Sequence, residues 1–375
     1  MEVLVLTPRL YSKIVPSLIN TNYFLGNLNC CTKCEVTECR NGSYTLSLET
    51  TVNDDCANLL LSQRIICAKA NPFDDEQYFE IQSTERGTNG IIKVECKHIK
   101  NYCFQYCSEG DMAYDGDLLS IKGTPKKVWD KLQKDYITTT VPFNFSSDIT
   151  SSNDFSLGIS TPETLGNILG GKEGSFLDVW GGEYHFDNFN IHLLKSRGKV
   201  QNYILRYGSN ISDFTQSENC EETYSHILPY GKVSLGDHKI NFFAPIFEIE
   251  NHSCTTDKVY MLDCTSFLDS YSVGKQGYKY DAVKNAMTKY AKSYGKKNNL
   301  GSLKVSIDVT IKSELDQMSN LGLCDTVTVI LDNIGTKATA KITEVTYDSL
   351  NERWEKLVVG ESKVTVADLI LNKRR

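Results

Sequence analysis

The amino-acid sequence predicts a β-rich α+β chain with more than one domain, and three observations carry that prediction. Short runs alternating apolar and polar residues, separated by turn residues, fill the first hundred positions. The period becomes helical between about residues 110 and 200, and alternation then returns for most of the remainder. At 375 residues, with 40% hydrophobic and 23% charged, the chain has material for about two to three cores of its own. That composition excludes a disordered, collagen-like or coiled-coil chain.

The first strands are Tyr44 to Glu49 and Ile92 to Cys96, which alternate cleanly. Between them lie the shorter runs Arg64 to Cys67 and Gln77 to Gln82, with turn signals at Asn53-Asp54-Asp55 and Thr88-Asn89-Gly90. Several short strands at this spacing predict a small barrel or sandwich. Thr124-Pro125 then reads as an N-cap with proline at the first helical position, ahead of Val128, Trp129, Leu132 and Tyr136 on one stripe. Thr161-Pro162 repeats the signature before Leu165, Ile168 and Leu169, and Gly170-Gly171 is the stop. Phe176 to Trp180 is a short apolar stretch closed by Gly181-Gly182, after which Glu183 to Phe186 and Ile191 to Leu193 alternate again.

In the last part, residues 281–294 predict a helix with Val283, Ala286, Met287, Tyr290, Ala291 and Tyr294 on one face. Leu303 to Ile311 is a half-buried strand, and Val327 and Val329 open another. Ala338, Ala340 and Ile342 change phase before Val345 and Tyr347, which predicts a bulge.

Net charge is −7, which argues against non-specific attraction to nucleic acid or anionic membrane. No apolar run approaches the roughly 20 residues of a membrane span, and the run Met1 to Leu6 is too short for a signal peptide. The expectation is therefore synthesis in a reducing cytosol, where the thirteen cysteines stay reduced and pack as small hydrophobes. Cys31-x-x-Cys34 is one zinc-type pair, but Cys103-x-x-x-Cys107 is a poor second for a finger or ribbon.

Candidate chemistry is sparse. Gly166 to Glu173 resembles a phosphate-binding loop but has Glu173 where a hydroxyl residue is needed after Lys172, and it follows a helix rather than a strand. Glu183, His185 and Asp187 share one face of a strand near His192, a possible metal or catalytic group against the default of a solvated face. His98, His226, His238 and His252 are scattered singly, with no local nucleophile motif. Glu221-Glu222 and Asp74-Asp75-Glu76 read as loop charge, and no catalytic, cofactor-binding or metal residue is assigned.

A family signal lies in a longer pattern. Residues 161–230 run Thr161 to Leu165, Gly174 to Glu183, Phe186 to Phe189, Arg197-Gly198, Leu205 to Asn210 and Ile227 to Gly231. Cys34 to Glu38 leading to Gly42-Ser43-Tyr44-Thr45-Leu46 precedes them, and Leu323 to Val329, Lys341 to Asp348 and Asn351-Glu352-Arg353 follow. In order and spacing these segments, spanning about residues 30 to 362, resemble the prophage endopeptidase tail family: the hub region of tail-associated lysins and minor structural proteins of phages infecting Gram-positive bacteria.

The resemblance implies two similar β-barrel tube domains flanking a mixed α+β domain. The first tube domain is placed at 1–108, the α+β domain at 109–202 and the second tube domain at 203–250 with 300–362. An insertion carrying the amphipathic helix takes 251–299, and 363–375 form a tail. It implies a homotrimeric ring in a virion tail tip or baseplate, assembled in the host cytoplasm. That ring would adapt a hexameric tail tube or distal tail ring, and the tape measure protein, to a tip or spike. No cofactor and no specific nucleic-acid partner are implied. Because the sequence leaves only a short tail after Gly360, the expectation is a structural hub without a peptidase domain. The competing expectation is a peptidoglycan hydrolase built from His185, His192 and an acidic partner.

Overall fold

A computed structural model of the chain describes residues 7–13, 23–108, 118–137, 142–158, 162–172, 174–235, 238–270, 280–302, 304–311, 320–331 and 336–360. Residues 1–6, Thr161, Leu303 and the tail 363–375 lie outside the described residues. The chain divides into two compact units, residues 1–214 with 308–360, and residues 215–307 with 361–375.

The first unit begins with β1 (Arg9–Tyr11), β2 (Phe24–Asn27), β3 (Lys33–Cys39), β4 (Tyr44–Thr51), β5 (Ile65–Ala68), β6 (Gln77–Arg86) and β7 (Ile91–His98). Alternation places Cys34 and Val36 of β3, Tyr44, Leu46 and Leu48 of β4, and Ile92, Val94 and Cys96 of β7 in one core. His98 ends β7 fully buried, stacked 4.3 Å from Tyr44, and its Nε2 lies 3.1 Å from Gln77 Oε1. Burial first, then nearby Lys100, hold its pKa well below the usual imidazole range, so it packs as a neutral ring.

The middle of this unit holds β8 (Leu118–Gly123), α1 (Pro125–Asp135), β9 (Asn144–Ser147), β10 (Asn153–Gly158), α2 (Leu165–Leu169), α3 (Phe176–Trp180), β11 (Glu183–Asp187) and β12 (Asn190–Leu194). The Thr124 hydroxyl caps α1 as expected, accepting from Lys127 N, and Val128, Trp129 and Leu132 are buried. The second helix begins later than the Thr161-Pro162 signature suggests. Thr164 is its N-cap, because a hydroxyl three residues before a free N–H wins over proline position, and Gly170 ends it. Trp129, Phe145, Phe155 and Phe176 form the aromatic centre of a separate core, with Trp129 and Phe145 stacked at 4.8 Å.

The chain continues through β13 (Val200–Arg206) and β14 (Ile211–Asn219), and returns from the second unit through β19 (Lys304–Ile311), β20 (Thr326–Leu331), β21 (Thr336–Asp348) and β22 (Arg353–Gly360). Among the described residues these strands and β1–β7 form one sheet, ordered β14-β19-β22-β21-β3-β4-β7-β6-β5-β1-β2, with β20 on β21 and β13 on β20. The join is the antiparallel β3–β21 pair, in register from Glu35 opposite Asp348 to Cys39 opposite Glu344. The phase change in β21 is a register shift between Ile342 and Glu344 against β22, at the bulge the sequence predicts. The fold is thus β-rich α+β, 45% strand and 19% helix, and no closed barrel occurs among the described residues.

The second unit contains β15 (His226–Leu235), β16 (His238–Phe243), β17 (Phe247–Glu248), β18 (Val259–Asp263), α4 (Thr265–Ser270) and α5 (Tyr280–Lys297). Strands β16, β17 and β18 all pair with β15. The predicted helix is α5, whose Val283, Met287 and Ala291 pack on Ile227, Phe242, Leu262 and Leu268. Unit by unit, then, apolar phase positions each element.

The buried thiols make the fold sensitive to alkali. None of the thirteen cysteines is in a disulfide. Burial pushes the thiols of Cys31, Cys67, Cys103 and Cys324 up to about 12, and those of Cys34 and Cys96 higher still. Below the ordinary value of 9.0 both folded and unfolded chains keep these protons, so the stability is fully present there. Between 9.0 and about 12 only the unfolded chain loses them, so stability falls as pH rises. Lys100, drawn by burial down to about 8, acts in the opposite sense but is one group against six. Under reducing conditions the urea midpoint is expected to hold between about pH 7 and 8 and to fall between about pH 9 and 11. A midpoint unchanged to about pH 11 would show that the thiols are not buried as described.

Candidate functional site

The alternation of β3 that buries Cys34 and Val36 also turns Glu38 inward, leaving it 6% exposed. A carboxylate there needs a fixed partner, since an unpaired buried charge costs several kcal/mol, on the order of 3–5 when a partner is removed. Arg197, after β12, supplies it in bidentate form, Nη1 to Oε1 at 2.6 Å and Nη2 to Oε2 at 3.0 Å. Burial opposes the guanidinium charge, but Glu38 more than offsets it and holds the pKa above the ordinary value.

A second buried acid, Glu183 at the start of β11, fixes the backbone of the same arginine by accepting from Arg197 N at 2.8 Å. Lys341 of β21 donates to Glu183, and Arg40 Nε stands 3.0 Å away. Burial disfavours the carboxylate, yet Lys341, the Arg197 N–H and Arg40 together hold its pKa below the usual range. Gly198 follows because no side chain fits. A Cβ there would lie 2.0 Å from the Cys324 carbonyl carbon. The approach is locked by Asp325, whose Oδ1 accepts from Lys199 N at 2.7 Å and whose Oδ2 accepts from Gln201 Nε2 at 2.8 Å.

These groups border a cavity of about 250 Å³ in the first unit, lined among others by Glu38, Asp74, His185, Arg197, Asp325 and Trp354. Every carboxylate on its wall is already engaged. Asp74 Oδ2 meets His185 Nε2 at 2.9 Å and accepts from Asn71 Nδ2 at 2.8 Å. Burial would raise the Asp74 pKa, but His185 and Asn71 outweigh it, and the net direction is down. With its acids held by cations and amides, the cavity is chemically a clasp between β3, β11, β21 and the loops at 71–74, 195–199 and 320–325.

The residues singled out by sequence are held apart by these partners. Glu183, His185 and Asp187 each serve a different group, with Asp187 Oδ1 accepting from Gln77 Nε2 at 2.9 Å. Among the described residues no cluster of three or more His, Cys, Asp or Glu could hold a metal. His185 and His192 are cross-strand neighbours with rings 5.6 Å apart. His192 Nδ1 lies 2.6 Å from Ser146 Oγ, while the nearby carboxylate of Asp74 belongs to His185. No serine–histidine–carboxylate relay is thereby formed by these residues. Burial, then His185, lower the His192 pKa. His226 meets Ser225 Oγ at 2.8 Å and His252 meets Glu248 at 3.2 Å. In the glycine-rich stretch, Gly170 ends α2 and Ser175 caps α3. Sequence reasoning missed the Glu38–Arg197 pair. Its signal was the inward phase of Glu38 in β3.

Gly198→Ala is expected to lower stability by about 2 kcal/mol or more, because residues 197–199 must withdraw from Cys324 and surrender the Asp325 contacts. Urea denaturation checks this, with exposed Lys195→Ala expected to stay within about 0.5 kcal/mol of wild type. Equal stability of the two variants would contradict the close approach.

Comparison with known proteins places this geometry in a wider fold. Residues 199–370 match the family described as prophage endopeptidase tail. Earlier segments that carry the resemblance, around Cys34 and from Thr161 to Arg197, lie before the matched residues. Prophage tail protein gp18 from Listeria monocytogenes is similar in structure, with a TM-score of 0.55 and 12% identity, over 98% of this chain and 98% of that one. A tail protein from Neisseria meningitidis gives a TM-score of 0.56 and 11% identity, over 96% of this chain and 98% of that one. The 43 kDa tail protein of prophage MuSo2 from Shewanella oneidensis gives 0.52 and 11%, over 95% and 98%. No curated protein matches the sequence. The resemblance read from the sequence thus recurs in the comparison: residues 199–370 match the prophage endopeptidase tail family, and the chain as a whole is similar in fold to prophage tail proteins.

Proposed function

We propose that this protein is a structural component of a phage tail, the hub of a tail tip or baseplate. The observation that carries the reading is the likeness to prophage tail proteins along 95–98% of this chain and 98% of each of theirs. Three copies form a ring in the virion, assembled in the host cytoplasm. The ring joins a hexameric tail tube or distal ring, and the tape measure protein, to a tip or spike. Each copy contributes two tube domains, 1–108 and 203–250 with 300–362, flanking the α+β residues 109–202, with 251–299 inserted. The host is Gram-positive.

Two physical features support a structural role over catalysis. The acids Glu38, Asp74, Glu183 and Asp325 are all engaged by partners from other strands and loops, as a structural junction requires. The net charge of −7 suits a lumen that DNA passes without sticking. The reading therefore carries no enzymatic activity, cofactor or specific nucleic-acid site. The competing reading, a wall hydrolase, draws on the Ser146–His192 contact.

Light scattering of the purified chain is expected to give the mass of three copies, and negative-stain averages a ring with a central hole. Clearing of Gram-positive cell wall in a zymogram, abolished by both His185→Ala and His192→Ala, would replace the structural reading with the hydrolase.

A further inference from the structure

Helix α5 buries Val283, Met287 and Ala291, and the opposite side carries Lys289, Lys292 and Lys296. Spacings of three and four residues put these lysines on one stripe, about 180° from the buried one. All three are exposed. The one acid of α5 is Asp281 in its first turn, and from Ala282 to Ile307 the sequence contains no other. A favourable contact with the helix C-terminus accounts for Lys296 in the last turn, and Lys292 Nζ stands 5.6 Å from the Phe247 ring centroid, a contact that leaves its positive charge in place; Lys289 sits further back.

The rest of the molecule has the opposite sign. Residues 1–214 and 308–360 hold 25 Lys and Arg against 35 Asp and Glu, a charge of −10. The second unit holds 15 against 12, a charge of +3. One chain therefore carries a basic stripe on one unit and a net negative charge on the other. Such complementary charges allow a head-to-tail contact, and a head-to-tail contact that closes makes a ring.

We propose that the Lys289–Lys292–Lys296 stripe of α5 docks against the acidic first unit of a second copy of this chain, as the electrostatic part of the contact between neighbours in the ring. The inference rests on the ring reading above. DNA is the weaker occupant: three lysines release few counterions, and the chain as a whole repels a polyanion.

The test is light scattering of the full chain at about 50 and 500 mM NaCl, for wild type, for Lys289→Glu/Lys292→Glu/Lys296→Glu and for the triple Gln variant. Circular dichroism and the unfolding midpoint confirm that each variant folds. Wild type is expected to be trimeric at low salt and to dissociate in part at high salt. The Glu variant should raise the trimer–monomer dissociation constant on the order of tenfold or more, with the Gln variant between the two. Should the Glu variant not fold, the Gln variant read on the same scale decides. A variant that trimerises like wild type at both salts overturns the proposal and leaves the ring standing. Wild type that is monomeric throughout removes the ring reading, and the proposal with it. Retention of a 30-base-pair duplex by wild type and not by the Glu variant, with trimers unaffected, overturns the proposal in favour of nucleic acid.

Discussion

The buried pairing of Glu38 with Arg197 is the constraint on which the first unit turns. Strand β3 is the seam between strands from the two ends of the sequence. On one edge it pairs with β4, and on the other with β21, some three hundred residues later. The same alternation that lets β3 fill the core sends a carboxylate into it. The arginine that answers that charge is the residue before Gly198, and its backbone is fixed by Glu183, which also receives Lys341 from β21. Seam, clasp and the close approach of Gly198 to Cys324 are thus one arrangement. Removing either charge leaves the other desolvated and unpaired, which is the costly case.

Elsewhere the core accepts polar groups by keeping them neutral. His98 is enclosed by Tyr44, Phe79 and Gln77, where burial disfavours its protonated form. The buried cysteines behave in the same way, as small hydrophobes whose ionisation burial opposes. Charge is carried inward only where a partner meets it, so the cavity reads as a structural junction. Its carboxylates hold loops in place. Among the described residues no three His, Cys, Asp or Glu side chains converge as a metal site would need.

Much of the fold was legible because its signals are local. The alternation of β4, β7 and β19, the proline-led start of α1, the apolar face of α5 and the bulge in β21 all appear within windows of about ten residues. The pairing of β3 with β21 was not legible, since nothing within either strand names a partner so distant in sequence. The Glu38–Arg197 contact hid for the same reason. The helix start at Thr164 shows a different limit, in which two hydroxyl residues compete for one cap and local geometry decides. Glu183, His185 and Asp187 do share a strand, but their partners come from β21, β6 and the 71–74 loop, and those partners pull their chemistry apart.

A double-mutant cycle on Glu38→Ala and Arg197→Ala, read by urea denaturation, tests this account most directly. Each single variant should lose about 3 kcal/mol or more, and the double variant should lose much less than their sum, giving a coupling of about 2 kcal/mol or more. Additive losses, with coupling near zero, would mean that the two charges are solvated separately and that the seam is held by other contacts.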